Sequence, residues 1–157
     1  MQAFHDMTAL REAARTGGVR SSLAILNARV LHRYTAIYQL REDTLYCAYL
    51  YDKTQAVNAD FLQAVPLGDS FCQFVFRDGL FLVDDSASDK RLDGHPYQGV
   101  VMAYHALPLL DNRGELYGTL CHLDLERREL PAGELEYLQK AARLIAGCVV
   151  SEAATQA

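Results

Sequence analysis

"AYHALPLLDNRGELYGTLCHLD", residues 103–124, decides the fold of this chain. Two runs of apolar and aromatic residues flank Asp111-Asn112-Arg113-Gly114, a turn-forming tetrapeptide, so the stretch reads as a β-hairpin. The second run carries Cys121-His122, residue types that can hold metals or covalent cofactors. Successive residues of a strand point to opposite faces, so these two side chains are poorly placed to ligate one ion together. His32, His95 and His105 show no ligand spacing either. The pair therefore reads as core: Cys121 fills a tight spot, and no metal centre is expected.

Working outward, "RYTAIYQL" (33–40) and "TLYCAYLY" (44–51) are β-like runs joined by a short polar turn, a second hairpin. "FLQAV" (61–65) is a short strand closed by Pro66 and Gly68. "DSFCQFVFRDG" (69–79) reads as a helical turn with Asp69 or Ser70 as cap and Gly79 as stop. "LFLVDD" (80–85) is a strand that breaks into the polar loop "SASDKRLDGHPYQG". At the ends, Ala3, Met7, Leu10 and Ala14 share one helical face over 3–15, which Thr16-Gly17-Gly18 interrupts before a short helix at 19–28. Pro131 opens a last helix, with Leu135, Leu138, Ala142, Ile145 and Val149 in one stripe. Strands joined by hairpins imply an α+β layer fold with a mostly antiparallel sheet.

The 157 residues suit one domain, able to bury roughly 70% of its unfolded surface. A net charge of −5 argues against a general nucleic-acid or anionic-membrane surface. No window is apolar for long enough to span a bilayer, and the opening residues lack the apolar core of a signal peptide. Cys47, Cys72, Cys121 and Cys148 are scattered, which suits reduced thiols in a cytoplasmic protein.

The segments "RYTAIYQL", "SFC", "FLVDDSASDKRL", "GHP", "AYHALPLLDNRGELYGTLCHLD" and the closing helix together resemble a GAF domain, of the small stand-alone bacterial kind. The resemblance covers roughly residues 20–150. It implies a PAS-related fold: a six-stranded, mostly antiparallel sheet with helices on both faces and a pocket beside its third and fourth strands. The implied division is an N-terminal helix at 1–18, the domain at 19–150 with its C-terminal helix at 132–150, and a tail at 151–157. The implied function is small-molecule binding or signalling without catalysis, with the ligand unknown and no resident cofactor.

Ser70, Phe71, Cys72, Asp85, Arg91, His95, Tyr97 and Tyr104 are the candidate ligand-binding residues. Each also has a structural reading: Asp85 and Asp89 as turn or cap residues, Arg91 as their ion-pair partner, His95 as a loop brace, Phe71 and Phe74 as core. Tyr104 suits a pocket best, since its ring packs while its hydroxyl needs a partner.

The catalytic alternative is a thiol-dependent reductase of free methionine sulfoxide, which the same resemblance brings in. Cys72 falls near one cysteine of that group. The loop after "DGHP" reads "YQGVVMAY", however, and lacks the cysteine where the attacking thiol belongs. Bilin attachment and cyclic-nucleotide binding lack their family patterns as well. A protein-interaction domain with a filled pocket is the remaining alternative. The two terminal stripes have a/d spacing, from which a homodimer through the terminal helices is expected.

Overall fold

The computed structural model describes residues 7–55 and 63–149. Helix α1 (Thr8–Ala28) leads into strands β1 (Tyr34–Arg41), β2 (Thr44–Asp52) and β3 (Ala64–Pro66). Helix α2 (Cys72–Asp78), strand β4 (Phe81–Val83) and two single turns of 3-10 helix lead to β5 (Ala103–Leu110) and β6 (Leu116–Asp124), and helix α3 (Glu134–Ala146) closes the described chain. The six strands form one antiparallel sheet in the order β3-β2-β1-β6-β5-β4.

Both hairpins form where their turn residues stand. Pro108 is tolerated inside β5 because β4 pairs only with residues 104–106, which leaves the amide side of Pro108 outside the ladder. The interruption expected near Gly18 is real: its φ of 72° and ψ of −153° split α1 into two helical pieces, a conformation open to glycine. Gly79 stops α2 with φ 85°, also as expected. Neither Asp69 nor Ser70 caps α2, however. Phe71 occupies the N-cap, and the Ser70 hydroxyl donates back to the Leu67 carbonyl. The last helix begins three residues after Pro131, at Glu134, with Gly133 left-handed before it.

Helices α1 and α3 cover one face of the sheet, and α2 with the segment through residue 101 covers the other. The core is accordingly split in two. Leu10, Leu23, Leu26, Ile37, Leu107, Leu120, Leu138 and Ile145 fill the helix side, while Tyr34, Ala36, Phe71, Phe81, Tyr104, Cys121 and Leu123 fill the other. The α3 stripe is rotated from the expected one: Tyr137 and Ala141 are buried where Leu135 and Ala142 were expected, because the helix packs on the protein's own sheet. Leu138, Ile145 and Val149 are buried there too, so this seam is occupied within the chain. In the N-terminal stripe Met7 and Leu10 are buried, and Ala3 lies outside the described residues.

Two charged contacts fasten the helices. Arg29, at the end of α1, forms an ion pair with the buried Glu134 at 2.6 Å and stacks 3.6 Å over the Tyr137 ring. Glu134 sits at the positive N-terminal end of α3, where a carboxylate is favoured. Lys53 donates to the Asn27 and Val30 carbonyls, adding a charged donor at the end of α1.

Gly118 is the position the sheet tolerates least. A Cβ there would lie 1.7 Å from the Tyr38 carbonyl oxygen, beside the irregularity in the β1–β2 pairing at Ile37 and Tyr38, where β2 carries the extra residue Ala48. The obstacle is backbone, so no rotamer change relieves it. Gly118→Ala is expected to cost about 3 kcal/mol, at the upper end of ordinary overpacking. For a chain of this size that corresponds to a fall in Tm of roughly 10 °C. An unchanged melting curve would show that β1 and β6 can separate there without loss.

Candidate functional site: a small pocket and a buried histidine network

The adjacent residues Cys121 and His122 mark two different environments. β6 pairs with β1 and β5, which places Cys121 between Ala36 and Ala106 on one face and His122 between Thr35 and His105 on the other. The first row is made of small side chains. It forms the floor beneath α2, and Cys121 is fully buried in it. One residue along β6, the second row is polar.

On the floor side a cavity of about 50 Å³ is lined by Tyr38, Val65, Ser70, Phe71, Cys72, Tyr97, Val101, Tyr104 and Leu123. The sheet contributes Tyr38, Val65, Tyr104 and Leu123; the covering segment contributes the other five. Cys72 Sγ lies 3.0 Å from Tyr104 Oη and 3.4 Å from Thr119 Oγ1, so both hydroxyls meet the thiol. Burial pushes the Cys72 thiol up and the Tyr104 hydroxyl well up. Both groups are therefore neutral at ordinary pH.

Five of the eight candidate residues line this cavity: Ser70, Phe71, Cys72, Tyr97 and Tyr104. His95 stands just behind them. Its ring lies 4.7 Å from that of Phe71, its Nδ1 accepts from the Tyr97 amide, and its Nε2 donates to the Ser70 carbonyl at 3.2 Å. His95 is thus a brace of the loop. Asp85 and Arg91 are absent from the cavity lining. Asp85 accepts from the Ala87 amide as the cap of a 3-10 turn. Arg91 pairs with Asp89, donates to the Leu82 carbonyl and lies 4.6 Å from the Phe81 ring centroid. These polar groups are engaged by their own loop.

Tyr38, Val65, Val101 and Leu123 were not among the sequence candidates. Tyr38 and Leu123 could have been found by aligning β1, β6 and β5, since Tyr38 alternates with Ala36 and Leu123 with Cys121. Val65, on the edge strand β3, and Val101 carry no such signal: Val65 depends on how β3 pairs with β2, and Val101 on where the covering segment crosses the sheet. A larger open depression of about 560 Å³ lies elsewhere, between the two hairpin turns, with Arg41, Glu42, Asp111, Arg113 and Glu115 on its walls. Its solvent-open shape and mixed charge make it a surface feature.

On the helix side the polar row joins His32 and Asn27 into a buried network. His105 Nε2 bonds the Asp84 carboxylate at 2.8 Å, and His105 Nδ1 meets His32 Nε2 at 2.9 Å. Thr35 Oγ1 lies 2.7 Å from His122 Nδ1 and accepts from Asn27 Nδ2 at 2.9 Å. All three imidazoles are essentially without exposure. Burial lowers the basicity of each, to about 3 for His32, with like charge on the neighbouring histidines adding to the effect at His32 and His122. Asp84 opposes this at His105 and His32, as does Asp124 at His32; Arg128 reinforces it at His32, and Lys53 and Arg29 at His122.

A GAF domain family model matches residues 7–149. The chain belongs to the GAF domain family. No curated protein matches it. Among solved structures, the GAF fold is shared with the phycocyanobilin-bound GAF domain of a cyanobacterial phytochrome, at 17% identity and TM-score 0.68, covering 88% of this chain and 90% of that one. The free methionine-R-sulfoxide reductase of Neisseria meningitidis, solved with its substrate, is 16% identical with TM-score 0.63 and coverages of 92% and 80%. The GAF domain of an Acinetobacter phosphoenolpyruvate-protein phosphotransferase is 12% identical with TM-score 0.64 and coverages of 94% and 86%. At these identities the likeness is one of fold. It embraces sensor domains and reductases alike. Among the described residues no helix is long and apolar enough to cross a membrane.

Two outcomes are expected. Cys148 is exposed, Cys47 is half-buried with its thiol pushed up to about 11, and Cys72 and Cys121 are buried. Alkylation of the native protein should therefore modify Cys148 first and Cys47 slowly, sparing Cys72 and Cys121 until unfolding. Rapid native labelling of either buried thiol would contradict this packing. The histidines give a pH signature. Their folded basicity lies below the unfolded value, so the stability they carry is complete above about pH 6.5 and is lost as the pH falls toward 3. His32 alone can remove up to ~1.4 kcal/mol per pH unit over this range, taking up about one proton on unfolding near pH 5, and His105 and His122 act in the same direction. A Tm that stays level down to the carboxylate range, about pH 4, would refute a neutral network.

Proposed function

We propose that this GAF domain is a non-catalytic sensor module whose pocket receives a small, neutral, largely apolar molecule. The observation that carries this reading is the cavity's lining: among the described residues none of the nine side chains is charged, and four are aromatic. A zwitterion such as free methionine sulfoxide needs partners for both of its charges when it leaves water, and this lining offers none. Cys72 is the one thiol in the lining, and burial holds it in the protonated, poorly nucleophilic form. Both facts weigh against the reductase alternative, as does the missing loop cysteine.

At about 50 Å³ the cavity is well below the few hundred Å³ usual for ligand sites. Binding therefore requires the cover to move. Residues 94–101 are the part suited to it, since Gly94 and Gly99 both hold positive φ and the segment contains no strand or helix. The same small volume favours the second reading, an interaction domain with a filled pocket. Under either reading the output passes by association, as a homodimer through the terminal helices. Leu135 and Ala142 pack at the edge of the core and are only half-buried, so they are the positions of the expected stripe left to take part.

Native mass spectrometry of protein purified from its own host tests these readings together. A retained neutral small molecule on a dimer is the expected result, with the mass lost in Val101→Trp, which fills the cavity. Resupplying the molecule at a hundredfold excess over its Kd should stabilise the protein by about 2.7 kcal/mol. A ligand-free dimer that no neutral compound stabilises would favour the filled domain. Turnover of free methionine sulfoxide would overturn the sensor reading.

A further inference from the structure

The buried network on the helix side contains three polar atoms without a hydrogen-bond partner among the described residues: Asn27 Oδ1, His32 Nδ1 and His122 Nε2. All three side chains have zero exposure. We infer that these atoms form an internal binding site for one water molecule, which joins the two halves of the network.

The proton positions follow from the bonds around them. The Asp84 carboxylate can only accept, so His105 carries its proton on Nε2 and presents a bare Nδ1. His32 must then donate from Nε2, which leaves Nδ1 as an acceptor. Asn27 gives both amide protons away, one to the His32 carbonyl at 3.1 Å and one to Thr35 Oγ1, so its Oδ1 is a second acceptor. Thr35, already accepting from Asn27, donates its hydroxyl proton to His122 Nδ1. The His122 proton therefore sits on Nε2 as the one unpartnered donor. Two acceptors and one donor match a water molecule, which donates twice and accepts once here and meets the usual three partners of a buried water.

A metal ion does not fit the same count. It would need a lone pair on His122 Nε2, which moves the ring proton to Nδ1 and leaves the Thr35 hydroxyl proton without its acceptor. Lys53 and Arg29 add positive potential at His122, the ring whose lone pair a metal would need. The described residues also present no cluster of His, Cys, Asp or Glu suited to a metal. The rings of His32 and His122 have centroids 5.4 Å apart, close enough for one small molecule to serve both. With the water in place, a chain of hydrogen bonds runs from Asp84, half exposed at the end of β4, through His105, His32, the water, His122 and Thr35 to Asn27 in α1.

Long-range nitrogen–proton NMR of the histidine rings at neutral pH and a high-resolution crystal structure of the unaltered protein test this. The expected result is Nε2–H tautomers for His32, His105 and His122, with one water within hydrogen-bond reach of all three orphaned atoms. A proton on His122 Nδ1 would overturn it. So would a stoichiometric first-row metal by elemental analysis, or direct pairing of these atoms with protein groups.

Discussion

The structure depends on the alternation of β6 through Leu120, Cys121, His122 and Leu123, with both faces of this central strand covered. Its register with β1 and β5 sets a row of small residues, Ala36, Cys121 and Ala106, against a polar row, Thr35, His122 and His105. Each row suits only its own side. A one-residue slip would put imidazoles under Phe71 and a thiol and methyl groups beneath the end of α1, so register is specified on both faces at once. Gly118 guards the same register, since the approach of β6 to Tyr38 leaves no room for a Cβ.

The two sides then do different work. The small row provides the floor on which α2 and the segment through Val101 lie, and the side chains flanking it, Tyr38, Tyr104 and Leu123, define the pocket. The polar row lies beneath the end of α1, where Asn27 reaches the strands through Thr35 and His32. Buried polar groups are costly unless paired, which is why this network draws in Asp84 from the surface and engages so many partners. Neutral thiol and phenol on one side and neutral imidazoles on the other have the same origin, the exclusion of water from both faces. Binding chemistry based on shape and apolar contact follows from this more readily than thiolate chemistry.

The elements were legible from local patterns. Hairpins announced by Asp-Asn-Arg-Gly and by Arg-Glu-Asp-Thr form where those residues stand, and glycines at 18 and 79 interrupt or stop helices. The α3 stripe holds at Leu138, Ile145 and Val149 but not at Leu135 and Ala142, because the periodicity of these residues is compatible with adjacent facings. What selects Tyr137 and Ala141 is the sheet beneath. Five pocket residues were recognisable from residue type and neighbourhood. Asp85 and Arg91 were not separable from them, since an aspartate or arginine in a polar loop looks the same in sequence whether it faces a ligand or its own backbone.

The sequence by itself determined the element order, the hairpins β1–β2 and β5–β6, the opposite facing of Cys121 and His122, and the family, because each rests on short-range periodicity or on a motif. Only the tertiary structure decided how far the pocket is filled, which polar residues are used up within their own loop, and that His32, His105, His122, Thr35 and Asn27 meet. Those five come from a helix, a connecting loop and three strands, up to 95 positions apart (27 to 122). Their proximity comes from strand order and helix docking, which no local spacing encodes.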